Sequence, residues 1–317
     1  MTDMRTLGTT GMKTPPLVLG GNVFGWRVSG EDAYSILDRF VDAGGTMIDT
    51  ADVYSAWIDG HKGGESETVI GEWLAKRSRR DDVLIATKVG MLPGEGGKGL
   101  AASRIEAAVE ASLKRLQTDY IDLYFAHRDD GDTPLEESLK AFDRLKSAGK
   151  VRHIGASNYK ADRLAEALST SADEDLAYYE VLQPELNLMD RAQYEGPLQD
   201  LAVERSLGVI TYFALASGFL TGKYRSADDK GKSPRGGNMD QYLNERGEAV
   251  LSAMDAVAEE TAASLAQVAL AWNAAQPGVT APIASATSME QLEELLGSFD
   301  LTLTPEQIER LNMASKG

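Results

Sequence analysis

Eight short apolar, β-branched runs alternate along this chain with stretches of helical period. The runs lie at 17–20, 46–50, 83–88, 121–126, 151–155, 179–183, 208–213 and 279–283. Each of the first seven leads, directly or after a loop, into a helix-period stretch, as at 31–43, 65–76, 103–116 and 134–147. Apolar residues three and four apart place one face of each helix against a sheet. Several helices run into glycine just before the next strand, as in Ala43-Gly44-Gly45 and Ala148-Gly149, a common way to end a helix. Eight strand–helix units predict a closed parallel (β/α)8 TIM barrel spanning 1–317 as one domain. The competing architecture is an open doubly wound sheet, which usually carries G-x-G-x-x-G after its first strand. The segment Gly20-Gly21-Asn22-Val23-Phe24-Gly25 does not match it. Residues 5–16, with Gly8 and Gly11 among strand formers, predict an N-terminal β-hairpin closing the barrel bottom, and a C-terminal helix is expected after the last strand. The breaker-rich segment 225–240 is expected to be a mobile loop, of the kind that often serves as a lid.

Composition narrows the chemistry. The chain has 317 residues, 43% of them hydrophobic, and no cysteine. Disulfides, thiolate metal sites and a cysteine nucleophile are thereby excluded. Its three histidines, His61, His127 and His153, lack metal-ligand spacing, so no metal is expected. A net charge of −17 repels a polyanion such as nucleic acid. No signal peptide and no apolar run of roughly 18 residues is found, so a cytoplasmic protein without membrane or nucleic-acid partners is expected.

A barrel of this kind carries its active site at the C-terminal ends of its strands. The polar residues arriving there are Asp49, Asp52 and Tyr54 from the second strand and its loop, Lys88 from the third and His127 from the fourth. Ser157 and Asn158 come from the fifth, Gln183 from the sixth and Tyr212 from the seventh. A phenol is a weak acid at neutral pH, a neighbouring lysine favours its phenolate, and a carboxylate keeps that lysine charged and in place. A neutral histidine can hydrogen-bond a substrate oxygen. Singly, each of these residues has an ordinary role in solvation or packing; their placement at successive strand ends makes them a proton-transfer set. His61 is expected to be solvated and His153 structural. Phe24, Trp26 and Trp57 fall in loops on the same side, where they either wall a substrate pocket or cover the barrel rim.

In order and spacing the chain resembles the aldo-keto reductase family. The matching stretches are MIDTADVY (47–54), GESETVIGEWL (64–74), LIATKVG (84–90), DYIDLYFAHRDD (119–130), GKVRHIGASN (149–158), LASGFLTGKY (215–224) and APIASATSMEQLEEL (281–295). The resemblance implies a NAD(P)H-dependent oxidoreductase acting on an aldehyde or ketone, or on the corresponding alcohol, with a catalytic tetrad of Asp49, Tyr54, Lys88 and His127. Tyr54 would be the general acid, tuned by Lys88 and Asp49, while His127 orients the carbonyl. For the cofactor it implies Gly21, Asn22 and Asp49, with Ser157, Asn158 and Gln183 on the nicotinamide carboxamide and Tyr212 stacked on its ring. Leu215, Ser217, Gly218 and Lys223 would embrace the pyrophosphate. Ser285, Thr287, Gln291 and Glu294 would meet the adenosine end.

One stretch departs from many relatives. No Lys or Arg stands among Ser285, Thr287, Gln291 and Leu295 to pair with a 2′-phosphate; Arg235, in the 225–240 loop, is the candidate substitute. NADPH is the expected cofactor, with NADH also accepted. The alternative to an enzyme is a cofactor-sensing regulatory module on the same fold, and substrate identity, reaction direction and oligomeric state are not legible.

Overall fold

A computed structural model describes residues 3–232 and 236–316. Eight strands, all paired in parallel, close into a barrel: β3 (Val18–Gly20), β4 (Met47–Asp49), β5 (Leu84–Val89), β6 (Ile121–Ala126), β7 (Val151–Ser157), β8 (Val181–Gln183), β9 (Gly208–Thr211) and β10 (Val279–Ala284), with β10 returning to β3. Helices α1 (Gly30–Asp42), α2 (Glu65–Lys76), α3 (Ala102–Leu116), α4 (Leu135–Ser147), α5 (Ala161–Asp173) and α6 (Pro197–Glu204) follow the first six barrel strands in turn. The chain is thus a (β/α)8 barrel, with strand bounds within a few residues of those expected. The strands are apolar on both faces for a simple reason: one face packs inside the barrel and the other against helices. In β6 all six residues are buried.

The interior is filled by Leu123, Phe125, Val181, Ile210, Ile283 and their neighbours. Space there is tight: a Cβ on Gly155 would meet the Phe125 ring at 2.5 Å, so only glycine fits beside that phenyl. Below, β1 (Arg5–Thr6) and β2 (Lys13–Thr14) form the antiparallel hairpin. Its Leu7 is fully buried within the interior cluster, and a Cβ on Gly8 would lie 2.2 Å from the Gly208 nitrogen at the start of β9. The hairpin therefore plugs the bottom and leaves the top open.

The seventh unit is elaborated. After β9 come α7 (Glu245–Thr261) and α8 (Leu265–Ala274), and after β10 come α9 (Met289–Leu296) and the C-terminal α10 (Pro305–Ser315). Ser264 and Thr304 each close a capping box at the start of α8 and α10. The segment expected to be a structureless mobile loop instead carries two short 3-10 helices, Ala227–Lys232 and Gly236–Gln241. Local ion pairs account for this: Lys232 meets Asp229 at 2.7 Å, Lys230 pairs with Asp240, and Arg225 grips Asp255 of α7 through two bonds of 2.9 and 2.7 Å. Met239 adds a fully buried anchor. Arg235 lies outside the described residues. No helix among the described residues is long and apolar enough to cross a membrane.

Candidate active site

Three neighbouring strand ends bring the proposed tetrad together. Asp49 ends β4, Lys88 lies near the end of β5, His127 follows β6, and Tyr54 stands on the loop after β4. All three ammonium protons of Lys88 are used: Nζ donates to Asp49 Oδ2 at 2.6 Å, to the Thr50 carbonyl at 2.7 Å and to the Tyr54 hydroxyl at 3.3 Å. Lys88 is 0% exposed, so the bonds replace the water it has lost. The Tyr54 ring lies edge-on to His127, with ring centres 6.0 Å apart.

The local fold fixes these positions. The Tyr54 carbonyl accepts from Gly64 N at 2.9 Å and from Ser66 N at 3.3 Å, both at the start of α2. Glu65 accepts from Ser55 N at 3.0 Å and Lys62 N at 2.7 Å, closing the loop around the phenol. His61, expected in solvent, has its Nδ1 2.8 Å from Ser55 Oγ on this same loop. His153 sits away from the site, 3.0 Å from Glu180, in a structural contact.

Electrostatics set the protonation states. Burial pushes the Tyr54 phenol above its ordinary value; the Lys88 cation pulls it down, and Asp49 pushes it up again. The net direction is opposite to that expected from the lysine alone, because burial and the adjoining carboxylate outweigh it. Burial alone would lower the Lys88 pKa, but the charge of Asp49 and its hydrogen bond hold it above the usual lysine value. His127 is driven well below the usual histidine range by burial, with the Lys88 and Arg128 charges adding to the effect. It is therefore neutral at physiological pH. Its Nδ1 is buried without a hydrogen-bond partner among the described residues. A proton there would be an unsatisfied donor, so the favoured tautomer carries it on Nε2.

The remaining expected residues surround this set. Gln183 donates to Asp49 Oδ1 at 2.9 Å, which commits its amide nitrogen to that carboxylate. Ser157 Oγ donates to the Gln183 carbonyl at 2.9 Å, and Asn158 Nδ2 donates to the His127 carbonyl at 2.8 Å. The Tyr212 hydroxyl donates to Asn158 Oδ1 at 2.7 Å. Gly21 N donates to the Asp49 carbonyl at 2.7 Å, and a Cβ there would crowd that same oxygen at 3.0 Å.

Beyond Tyr212, residues Ala216, Ser217 and Gly218 have successive positive φ of 46°, 56° and 97°, a strained run of the kind that forms anion-holding concavities. Lys223 lies against Gly218, where a Cβ would be 3.1 Å from its Nζ. Leu215 opens this turn, its carbonyl accepting from Gly218 N at 2.8 Å. Asn22 accepts from Ser285 Oγ at 2.7 Å, and Gln291 accepts from Thr287 N and Oγ1 at 2.9 and 3.0 Å. Ser285 and Thr287 thus precede the N-terminus of α9, with Gln291 and the half-buried Glu294 on the helix itself.

Of the three aromatics in these loops, Trp26 and Trp57 gather beside Tyr54. Trp57, half exposed, packs edge-on against Tyr54 and Trp26, with ring centres 5.7 and 6.2 Å away. Phe24 is a correction: it is 0% exposed and belongs to the core. The turn in which Gly25 N bonds the Val28 carbonyl at 2.9 Å folds this segment back and sends the phenyl inward.

A buried network behind Tyr54 escaped the sequence-based reading. Arg104 of α3 donates to Asp52 Oδ2 at 3.3 Å and to the carbonyls of Leu92 and Glu95 at 3.0 Å each. It links the Tyr54 loop to the loop after β5. Burial and the nearby Glu67 push Asp52 up to about 7, against the pull of Arg104 and Arg115. The only signal in the sequence was Asp52 itself; no spacing relates it to Arg104, 52 residues away.

The aldo/keto reductase family model matches residues 16–316, and the chain belongs to that family. Membership makes it a nicotinamide-dependent oxidoreductase of carbonyl compounds. It is 33% identical to an uncharacterized oxidoreductase, YrpG, of Bacillus subtilis, over 96% of this chain and 94% of that one. Identity is 32% to a probable voltage-gated potassium channel subunit beta of Arabidopsis thaliana, over 97% and 94% of the two chains. It is 30% to L-glyceraldehyde 3-phosphate reductase of Escherichia coli K12, over 97% and 91%.

Proposed function

We propose that this protein reduces aldehydes or ketones with NADPH, accepting NADH less well, and that Tyr54 is the general acid. The observation carrying this reading is the saturated Lys88, which joins Asp49 to the Tyr54 hydroxyl beside a neutral His127. The arrangement of donors and glycines fits a nicotinamide dinucleotide. Ser157, Asn158 and Gln183 face its carboxamide, and Tyr212 its ring. Ser217, Gly218 and Lys223 form the concavity for its pyrophosphate, and Gly21 leaves room beside Asp49. The bound nicotinamide supplies the hydride.

The protein's own groups handle the proton and the oxygen. His127 Nε2–H donates to the carbonyl oxygen and directs it toward Tyr54. The Tyr54 hydroxyl is protonated at neutral pH, because burial raises its pKa, and so can give up a proton as negative charge develops on that oxygen. Lys88, 3.3 Å away, stabilises the phenolate left behind. Asp49 keeps Lys88 charged, and Gln183 keeps Asp49 in place. In the reverse direction the phenolate takes the alcohol proton.

At the adenosine end, a 2′-phosphate would meet the Ser285 and Thr287 hydroxyls and the N-terminus of α9, whose backbone N–H groups and dipole favour an anion. Without a dedicated cation the preference is expected to be modest. One charge-assisted hydrogen bond, about 1.5–3 kcal/mol, corresponds to roughly ten- to a hundred-fold. The ratio of dissociation constants for the two reduced cofactors measures this. A preference for NADPH above about a thousand-fold would require a cation in contact with the phosphate, and Arg235→Ala would then test whether that cation is Arg235. Steady-state loss of reduced cofactor with an aldehyde panel tests the reaction itself; cofactor binding with no turnover of any carbonyl would favour the binding-module alternative.

The two short 3-10 helices at 227–232 and 236–241 lie beyond the pyrophosphate turn, where Lys232 Nζ donates to the Lys223 carbonyl at 3.0 Å. Cofactor is expected to slow amide exchange across both helices, since closure over the cofactor is a common gate on release. Equal exchange rates with and without cofactor would remove any lid role.

A further inference from the structure

Arg128 follows His127 directly at the open end of the barrel, just past β6. Its side chain is exposed and makes no hydrogen bond or ion pair with any described residue. The carboxylates beside it are already engaged. Asp129 accepts from Arg163 Nε at 3.0 and 3.1 Å, and Asp130 accepts from Leu100 N at 2.8 Å and Thr133 Oγ1 at 2.7 Å. Glu185, beyond β8, makes no ion pair with it either. Placed directly after His127 at this rim, it lies close enough for its charge to be felt at both the His127 ring and the Tyr212 phenol. Those residues follow β6 and β9, three strands apart around the barrel. An exposed arginine beside the His127 strand end, with its fork of donors unfilled by the described residues, is arranged to receive an anion. In a chain of net charge −17, a cation left without a carboxylate is a further sign that its partner comes from outside.

We propose that Arg128 is a specificity residue that binds a phosphate or carboxylate carried by the carbonyl substrate, so that small anionic aldehydes or ketones are the preferred class. This rests on the carbonyl-reductase reading above. The substrate would present its carbonyl oxygen to Tyr54 and His127 and its anion to the adjacent guanidinium. Both contacts then orient one small molecule in a site walled by Trp26 and Trp57.

The test compares matched substrates in the cofactor-loaded enzyme: glyceraldehyde 3-phosphate against glyceraldehyde, and 2-carboxybenzaldehyde against benzaldehyde. For each pair the quantity read is the anionic-to-neutral ratio of kcat/KM. Arg128→Gln is expected to lower that ratio about ten- to a hundred-fold, the range for one charge-assisted contact. Arg128→Lys should retain part of the preference, since it keeps the charge and loses the fork. A fall confined to one pair identifies phosphate or carboxylate as the anion bound. A ratio within about threefold of wild type in both pairs, or parallel losses on anionic and neutral substrates, overturns the proposal.

A second measurement needs no turnover: titration of 2-phosphoglycolate, followed by the fluorescence of Trp26 and Trp57, in wild type and Arg128→Gln. Binding weakened about tenfold or more supports the site, and an equal dissociation constant overturns it. If the wild type reduces no aldehyde of either charge, the reductase reading fails, and this titration alone decides whether Arg128 holds an anion.

Discussion

Tyr54→Phe is expected to abolish nearly all carbonyl reduction while leaving cofactor affinity close to wild type. A positioned general acid contributes about 10²–10⁴-fold, and no other protonated group is held by Lys88 at the strand ends. His127 is neutral and donates without giving up its proton, so it does not replace the phenol. The substitution removes one oxygen from a ring that packs against Trp57 and His127, so the fold should tolerate it. Single-turnover rates with saturating cofactor, beside a cofactor titration, measure both halves of the statement. Retention of more than about a tenth of the wild-type rate would show that another group supplies the proton. In the wild type, reduction should hold through neutral pH and decline only at alkaline pH, above the ordinary tyrosine range, because burial raises the Tyr54 pKa. Alcohol oxidation, which needs the phenolate, should rise with pH over the same window.

Lys88→Met carries the second large effect, and it acts on both rate and stability. Asp49 is 3% exposed, and with the ammonium gone its carboxylate keeps only Gln183 as a side-chain donor. Breaking one side of a buried ion pair typically costs about 3–5 kcal/mol, because an uncompensated charge stays behind. The Lys88 pKa is held above its unfolded value, so its stabilising contribution is complete through neutral pH and is lost only as pH rises beyond the ordinary lysine range. Denaturant midpoints across pH 6 to 11, taken as a rough working window, should therefore show the variant weakest relative to wild type at neutrality, with the gap narrowing in base. Catalytically, the phenol loses the one neighbour that lowers its pKa, so the alkaline limb of reduction moves to higher pH. A wild-type pH profile in the variant would show that Lys88 only packs.

Most of the barrel, and the gathering of Asp49, Tyr54, Lys88 and His127 at one rim of it, was legible from the sequence. Alternating strand and helix periods determine a parallel barrel because each half-apolar element must bury its face on the next. A barrel sends successive strand ends to one rim, so Asp49, Lys88, His127 and Gln183 could be placed together from order alone. What only the tertiary structure decided depends on direction and on partners remote in sequence. Phe24 turns into the core because a turn at Gly25 folds its segment back. The short helices at 227–232 and 236–241 are joined and flanked by ion pairs that composition does not reveal, one of them from Arg225 to α7. The phenol of Tyr54 sits above its free value because burial, a property of the packed molecule, outweighs the neighbouring lysine. Asp52 finds Arg104 across 52 residues, a pairing that no local period encodes. Arg128 follows His127 in the sequence, and it stands out only when the fold shows that the adjacent Asp129 and Asp130 are already taken by other donors. Local periodicity carries the architecture because it repeats every few residues; charge states and free partners emerge only when distant side chains share a desolvated space.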